Sequence, residues 1–326
     1  MTARCTIGID LGGTNIKGGV LDASGTLVHR CSIETQAERG FEHVFARLVR
    51  LVEDLIRDAG LAKSDVAAIG YGTPGPLSHK KGIVYASANL PGWKNIRLRE
   101  RFSAATGLPV TLDNDANVAA FGEFVAGAGR GVRDMVMLTL GTGIGGGVIV
   151  NGELVRGALE NAAEIGHMIA VPDGRACPCG QRGCLERYGS ANAVAERLVE
   201  AVQAGENSSL KAGLEAGETI TSVEVAQAAR AGDPLAARIW DETCYYLAIG
   251  CVSLQHILNP ARVVLAGGLI GAGEQLLGPV REYFHRQTWR LAEDFPQIEL
   301  ATLGGDAGII GAAALARIEH AKESPH

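Results

Sequence analysis

One pattern occurs twice in the chain. Ile9-Asp10-Leu11-Gly12-Gly13-Thr14 leads into Gly18-Gly19-Val20-Leu21-Asp22, and Leu138-Thr139-Leu140-Gly141-Thr142-Gly143 leads into Gly146-Gly147-Val148-Ile149-Val150-Asn151-Gly152. Each reads as strand, glycine turn, strand. A period of about half the chain points to two similar α/β lobes, their glycine turns facing one another across a cleft where a ligand would sit. Short glycine repeats also arise by chance, so the rest of the chain has to support this reading. The 44 glycines among 326 residues fit it, because glycine costs chain entropy and belongs where backbone turns tightly or approaches a ligand closely.

The remaining signals alternate as an α/β chain should. Residues 5–9, 16–21 and 26–33 read as a three-stranded meander. Phe41, Val44, Phe45, Leu48, Leu51, Val52, Leu55 and Ile56 then share one helical face over 41–60, and Gly60 stops the helix. An apolar run to Gly70, a Gly/Pro-rich loop at 72–76, a helix over 96–106, a strand over 109–112 and a helix over 117–128 follow. Helices are expected over 190–204, 222–231 and 234–258. A strand over 262–266 then runs into Gly267-Gly268, a helix starts near Glu274, and a last strand and helix close the chain. The expected division is a small lobe over 1–118, completed by the C-terminal helix over 306–326, and a large lobe over 119–305, with a hinge near 116–130.

Bulk properties narrow the partners. A net charge of −6 argues against a nucleic-acid surface, which needs clustered Lys and Arg, so a small molecule is the better default. The start lacks a charged segment followed by a long apolar core, and the most apolar later stretch is interrupted by Gly250, Gln255 and His256. The expectation is a protein neither exported nor membrane-spanning. Cys177, Cys179 and Cys184 crowd into eight residues of a chain with seven cysteines, which suits a metal site in a reducing compartment better than a disulfide framework. A cytoplasmic location follows.

Three glycine turns after strands compete as nucleotide sites. No Gly-x-x-x-x-Gly-Lys-Ser/Thr run exists, which argues against a P-loop NTPase. Gly141-x-Gly143-x-x-Gly146 matches the dinucleotide fingerprint as a pattern, but that fingerprint needs a helix after the turn, and Val148-Ile149-Val150 reads as a strand. What remains is a pair of hairpin turns whose backbone N–H groups, with the Thr14 and Thr142 hydroxyls, can cradle a polyphosphate. Asp10 reads equally as a turn-initiating aspartate or as a carboxylate that holds Mg²⁺ through water. Gly267-Gly268 reads as bare backbone for an adenosine or as an ordinary strand-to-helix turn.

Asp10-Leu-Gly-Gly-Thr14, Leu140-Gly-Thr-Gly-Ile-Gly-Gly146 and Val264-Leu-Ala-Gly-Gly268 resemble the two phosphate motifs and the adenosine motif of the ROK family of sugar kinases and repressors. Glu164-Ile-Gly-His167 with Cys177-Pro-Cys179-Gly-Gln-Arg-Gly-Cys184-Leu-Glu186 resembles that family's sugar and zinc signature, and Asp113-Asn-Asp-Ala-Asn117 its catalytic segment. The resemblance covers nearly the whole chain, and the cysteine signature is its most specific part. It implies a two-lobed, actin-like ATPase fold with a zinc loop, and transfer of a phosphoryl group from ATP with Mg²⁺ to a hexose. Glucose is the first expectation, with mannose, fructose, allose, N-acetylglucosamine or N-acetylmannosamine, or a sugar-sensing role without catalysis, as alternatives. A homodimer or homotetramer is also implied.

By the same resemblance Asp115 is the general base, and Asn89, Asn114, Asp115, Glu164, His167 and Glu186 bind the sugar. The cofactor-binding set is Asp10, Gly12, Gly13, Thr14, Lys17, Gly141, Thr142, Gly143, Gly267 and Gly268. The chemistry agrees: an alcohol is a poor nucleophile that a nearby carboxylate can orient and deprotonate, and each sugar hydroxyl in a closed site needs donors and acceptors. Asp113 reads as structural. His167, Cys177, Cys179 and Cys184 supply the one nitrogen and three sulfurs of a closed structural Zn²⁺ site; without a metal they would be buried thiols. A catalytic deaminase zinc fails, since its His-x-Glu and Pro-Cys-x-x-Cys spacings are not met. The repressors of the family carry a DNA-binding module ahead of the first phosphate motif, for which a motif beginning at Asp10 leaves no room. One stretch departs from the family pattern: Ala158-Leu-Glu-Asn-Ala-Ala163 stands where glycines are usual, so Ala162 and Ala163 put methyl groups beside Glu164 and sugar preference is expected to differ.

Overall fold

The computed structural model describes residues 4–87, 90–289 and 296–323. The chain begins with the meander of β1 (Cys5–Leu11), β2 (Asn15–Leu21) and β3 (Leu27–Glu34). α1 (Phe41–Asp58) buries Phe41, Val44, Leu48, Leu51, Val52 and Leu55, most of the expected face, while Phe45 and Ile56 are partly buried at its edge. β4 (Val66–Thr73) returns parallel to β1. A small antiparallel sheet of β5 (Leu77–Ser78), β6 (Ile83–Ala86) and β7 (Lys94–Ile96) follows, then α2 (Leu98–Thr106) and β8 (Val110–Asn114), parallel to β4. The small sheet was not anticipated from the sequence.

α3 (Asp115–Ala126) leads to β9 (Met135–Leu140), β10 (Ile144–Val150) and the short β11 (Glu153–Leu154). After a long loop come α4 (Glu186–Gly189), α5 (Ala191–Gln203), α6 (Lys211–Glu215), α7 (Ser222–Arg230) and α8 (Pro234–Leu258). β12 (Arg262–Ala266), α9 (Glu274–Gln287), β13 (Gln297–Leu300) and α10 (Ala307–Glu323) complete the described chain. α8 starts where the sequence places it because Asp233 accepts a bond from the Ala236 N–H and Pro234 occupies the first turn.

The two large sheets have one topology. Their orders are β3-β2-β1-β4-β8 and β11-β10-β9-β12-β13, and the strands correspond one for one: two antiparallel pairings, then two parallel ones. Each sheet has its own apolar core, one including Ile7, Ile69 and Leu112, the other Leu138, Leu247 and Leu265. α10 lies on β1 and β4 of the first sheet and against α3, and α3 lies on β10 of the second, so these two helices fill the space between the sheets. Glycine makes the contacts close enough: a Cβ on Gly70 would sit 1.8 Å from the Ala312 carbonyl oxygen, and one on Gly311 would sit 1.7 Å from that of Val118. Among the described residues no helix is long and apolar enough to cross a membrane.

Candidate active site

Asp10, Gly72 and Asp113 lie in register across β1, β4 and β8 near their C-terminal ends, where open α/β sheets present ligand-binding side chains. The chain then enters α3. The Asn114 side chain caps this helix by accepting from the N–H groups of Ala116 (2.9 Å) and Asn117 (3.3 Å), and Asp115 is its first residue. Burial raises the Asp115 carboxyl above its ordinary range, against the opposing pull of the Ala116 N–H at 2.9 Å. Asn114 is therefore turned partly toward its own helix as a cap, while still lining a cavity beside Asp115.

Two cavities meet at Asp115. One, of about 420 Å³, is lined by Asp10, Asp115, Thr139, Gly141, Thr142, Gly143, Gly145, Glu186 and Gly267, among others. The second sheet's glycine turn forms its wall: Gly141 N–H donates to the Gly143 carbonyl (3.0 Å), and the Gly141 carbonyl accepts from Ala191 N–H (2.9 Å). Gly267 (φ 89°) lies so close to Leu140 that a Cβ would fall 2.5 Å from its carbonyl oxygen. In the first sheet's turn, Gly12 N–H donates to the Asn15 carbonyl (2.9 Å), and Thr35 ties the turn down through Thr35 N–H to the Thr14 carbonyl (2.8 Å) and its hydroxyl to the Gly12 carbonyl (2.7 Å). Gly12, Gly13, Thr14 and Gly268 are outside this cavity's lining, and Lys17 lines a separate cavity of about 400 Å³ with Arg30 and Asp306. Asp10 is held at about 6 by burial and by the charge of Asp115, with Lys17 opposing.

The other cavity at Asp115, about 430 Å³, is lined by Gly75, Pro76, Asn114, Asp115, Asn161, Ala162, Ala163, Glu164 and His167, among others. Its polar groups are amide, carboxylate and imidazole, the mixture that a polyhydroxy ligand requires. Both volumes fall within the ordinary range of small-molecule sites, about 300–1,000 Å³. Ala88 and Asn89, and with them the expected sugar ligand Asn89, lie outside the described residues. Glu186 lines the first cavity beside Gly143, not the second, and its carboxylate also stands 3.1 Å from Cys177 Sγ and 3.7 Å from His167 Nδ1.

His167, Cys177, Cys179 and Cys184 converge, with one donor atom of each within 4.8 Å of all the others. A tetrahedral site with metal–sulfur bonds of about 2.3 Å has ligand–ligand edges of about 3.8 Å. Here Cys179 and Cys184 Sγ are 3.6 Å apart, and Cys177 Sγ is 3.8 Å from His167 Nδ1. Burial raises the Cys177 and Cys184 thiols, whereas the Gln181 N–H lowers Cys179. A cation among them would favour all three thiolates, so the donor set and its geometry fit Zn²⁺.

A charged cluster beside the second cavity escaped the sequence reading. Buried Asp113 accepts from Asn114 N–H (2.8 Å), Asn117 Nδ2 (2.8 Å) and Arg156 Nε (2.6 Å). Glu319 on α10 pairs with Arg156 and with His79 Nε2, each at 3.1 Å. Burial alone would push the His79 imidazole down, but the Glu319 hydrogen bond and the Glu319 and Asp113 charges outweigh it and the nearby Arg156, so its pKa is raised. These partners are far apart in sequence and form no local pattern. Only Asp113, set next to the Asn114-Asp115 pair, gave a signal.

Two α/β halves of one topology, joined at a cleft where one carboxylate faces a glycine-walled cavity and a polar one, define an ATP-dependent sugar kinase of the actin-like ATPase type. The chain belongs to the ROK family, which it matches over residues 6–319. It is 36% identical to a glucokinase of Halalkalibacterium halodurans over 95% of this chain and 94% of that one. Among solved structures it is similar to a ROK hexokinase from Thermus thermophilus (TM-score 0.83, 36% identity, 98% and 100% of the two chains). It is also similar to a ROK family glucokinase from Streptomyces griseus in complex with glucose and AMPPNP (TM-score 0.78, 36% identity, 96% and 99%).

Proposed function

We propose that the protein transfers the terminal phosphoryl group of ATP to a hexose, converting glucose to glucose 6-phosphate, with Asp115 as the general base. The observation that carries this reading is the position of Asp115 in the lining of both cavities. A base for this reaction must reach the acceptor hydroxyl while that hydroxyl faces the phosphate. On this reading the cavity walled by Gly141, Thr142 and Gly143 takes the nucleotide, and the one containing Asn114, Glu164 and His167 takes the sugar. The glucose-bound and AMPPNP-bound state of the similar Streptomyces griseus glucokinase supports the pairing of ligands.

Asp115 orients the sugar hydroxyl and accepts its proton as the oxygen bonds to the γ-phosphorus and the bond from that phosphorus to the bridging oxygen of ADP breaks. Its raised pKa makes it a stronger base than an ordinary aspartate. Backbone N–H groups of the glycine turn hold phosphate oxygens, and Asp10 would hold the Mg²⁺ that screens phosphate charge when bound. Zn²⁺ at His167, Cys177, Cys179 and Cys184 would fix the loop that carries Glu186 and orient the His167 ring, leaving Nε2 for the sugar. We assign the first sheet, α1, α2 and α10 to one lobe and the second sheet with α5, α7, α8 and α9 to the other, closing on the ligands and excluding water.

A coupled ADP-release assay against a panel of hexoses, followed by phosphorus NMR of the product, tests the reading. Glucose 6-phosphate is the expected product, and no turnover of any hexose with Mg·ATP would contradict it.

A further inference from the structure

The loop between β11 and the turn at Ile165–His167 starts from the second sheet but is fastened to the first half of the chain and to α10. At one end Arg156 Nε donates to Asp113 at 2.6 Å and its Nη2 to Glu319 at 3.1 Å. Further along, Glu160 accepts from the Ser78 hydroxyl of β5 at 2.5 Å and from the Lys80 N–H in the turn after it at 3.0 Å. Glu160 (φ 62°) and Ala163 (φ 67°) are both in the left-handed region, which non-glycine residues occupy only where their surroundings hold them there. The loop is also braced internally: Ala162 N–H donates to the Arg156 carbonyl at 3.0 Å, and Ile165 N–H to the Ala163 carbonyl at 2.7 Å. A constraint at Arg156 or Glu160 is therefore passed on to Glu164 and His167.

The other end of the fastening reaches the base. Asp113 is 2% exposed, and the oxygen not facing Arg156 takes the Asn114 N–H and Asn117 Nδ2. One guanidinium thus separates the sugar-side loop from the backbone that sets Asn114 and Asp115. We propose that Arg156 and Glu160 are positioning residues of the acceptor site, clasping the loop that carries Glu164 and His167 in register with Asp115. This rests on the reading of the second cavity as the sugar site. A shift of about 1 Å in one wall of such a site is enough to weaken binding and catalysis substantially.

The test is steady-state kinetics of the full-length protein with the hexose it turns over, comparing wild type, Glu160→Ala and Arg156→Met. The clasp predicts a hexose KM raised about fivefold or more in Glu160→Ala and about tenfold or more in Arg156→Met, with the KM for Mg·ATP within about twofold of wild type. Glu160→Gln, which keeps an acceptor for Ser78, should recover part of the loss, and Arg156→Lys, which cannot span both carboxylates in the same way, should fall between Met and Arg. Lower melting temperatures with an unchanged hexose KM in the folded variants would overturn the proposal, since a purely structural brace gives that result. If Arg156→Met does not fold, the half-buried Glu160 decides alone. Wild type that turns over no hexose would overturn the acceptor reading and the clasp with it, whereas a clasp that fails alone shows an active wild type and variants matching its hexose KM.

Discussion

Asp10 and Asp115 line the same cavity, and burial together with the charge of Asp115 holds the Asp10 carboxyl up at about 6. The two come from equivalent places in one sheet, the end of β1 and the residue following β8. The arrangement costs folding energy above that pH, because two carboxylates are confined in one partly desolvated site. It is an arrangement that a bound cation would relieve.

Asp10→Asn is therefore expected to be more stable than wild type at pH 7.5 without Mg²⁺. The folded pKa lies above the ordinary value near 4, so the stability linked to this group is fully present below about pH 4 and lost as pH rises through about 6. The amide variant should gain up to about 3 kcal/mol at pH 7.5 and nothing near pH 4. Thermal unfolding across that range checks the sign, and a gain that persists at pH 4 would contradict it.

His79 should show the reverse dependence on removal. Asp113 of β8, Glu319 of α10 and Arg156 face it, and their balance raises its pKa. Its contribution is present below about pH 6.5 and lost as pH rises through its higher folded value. His79→Gln is expected to destabilise the fold more at pH 6 than at pH 9, measured by denaturant unfolding at both, and an equal loss at the two pH values would contradict the sign.

One zinc per chain is expected on elemental analysis of wild type, and none in Cys179→Ser. That variant should melt several degrees lower and bind hexose more weakly, because the loop holding His167 and Glu186 loses its anchor. Normal hexose affinity in the metal-free variant, measured by calorimetry, would rule out this role for the metal.

Ala163→Gly separates stability from function. Glycine relieves the left-handed strain at φ 67°, worth about 1 kcal/mol. The freed loop should also raise the hexose KM several-fold, so melting temperature and KM are expected to rise together.

Much of this was legible because it is local. The two glycine turns announced two equivalent hairpins, and the structure extends the equivalence to all five strands of each sheet. His167 and the three cysteines converge as their clustering in the sequence indicated. The strands β5 to β7 were missed because two to four residues carry too little periodicity to read. Arg156, Glu160, His79 and Glu319 were missed for another reason: their partners lie far away in the sequence, from 33 residues up to the 240 between His79 and Glu319 (319 − 79), and long-range pairs leave no trace in spacing. Glu186 follows the cysteine segment as the sequence shows, but its carboxylate faces Cys177, His167 and Gly143, a direction no motif specifies.

The most direct test is the turnover of Asp115→Asn, which keeps the shape of the side chain and its place at the start of α3 while removing the base. With the hexose that wild type phosphorylates, kcat should fall by about 10²–10⁴, with the KM for hexose and for Mg·ATP within a few-fold of wild type. An Asp115→Asn protein that keeps more than about a tenth of the wild-type kcat would contradict the assignment of Asp115 as the base between the two cavities.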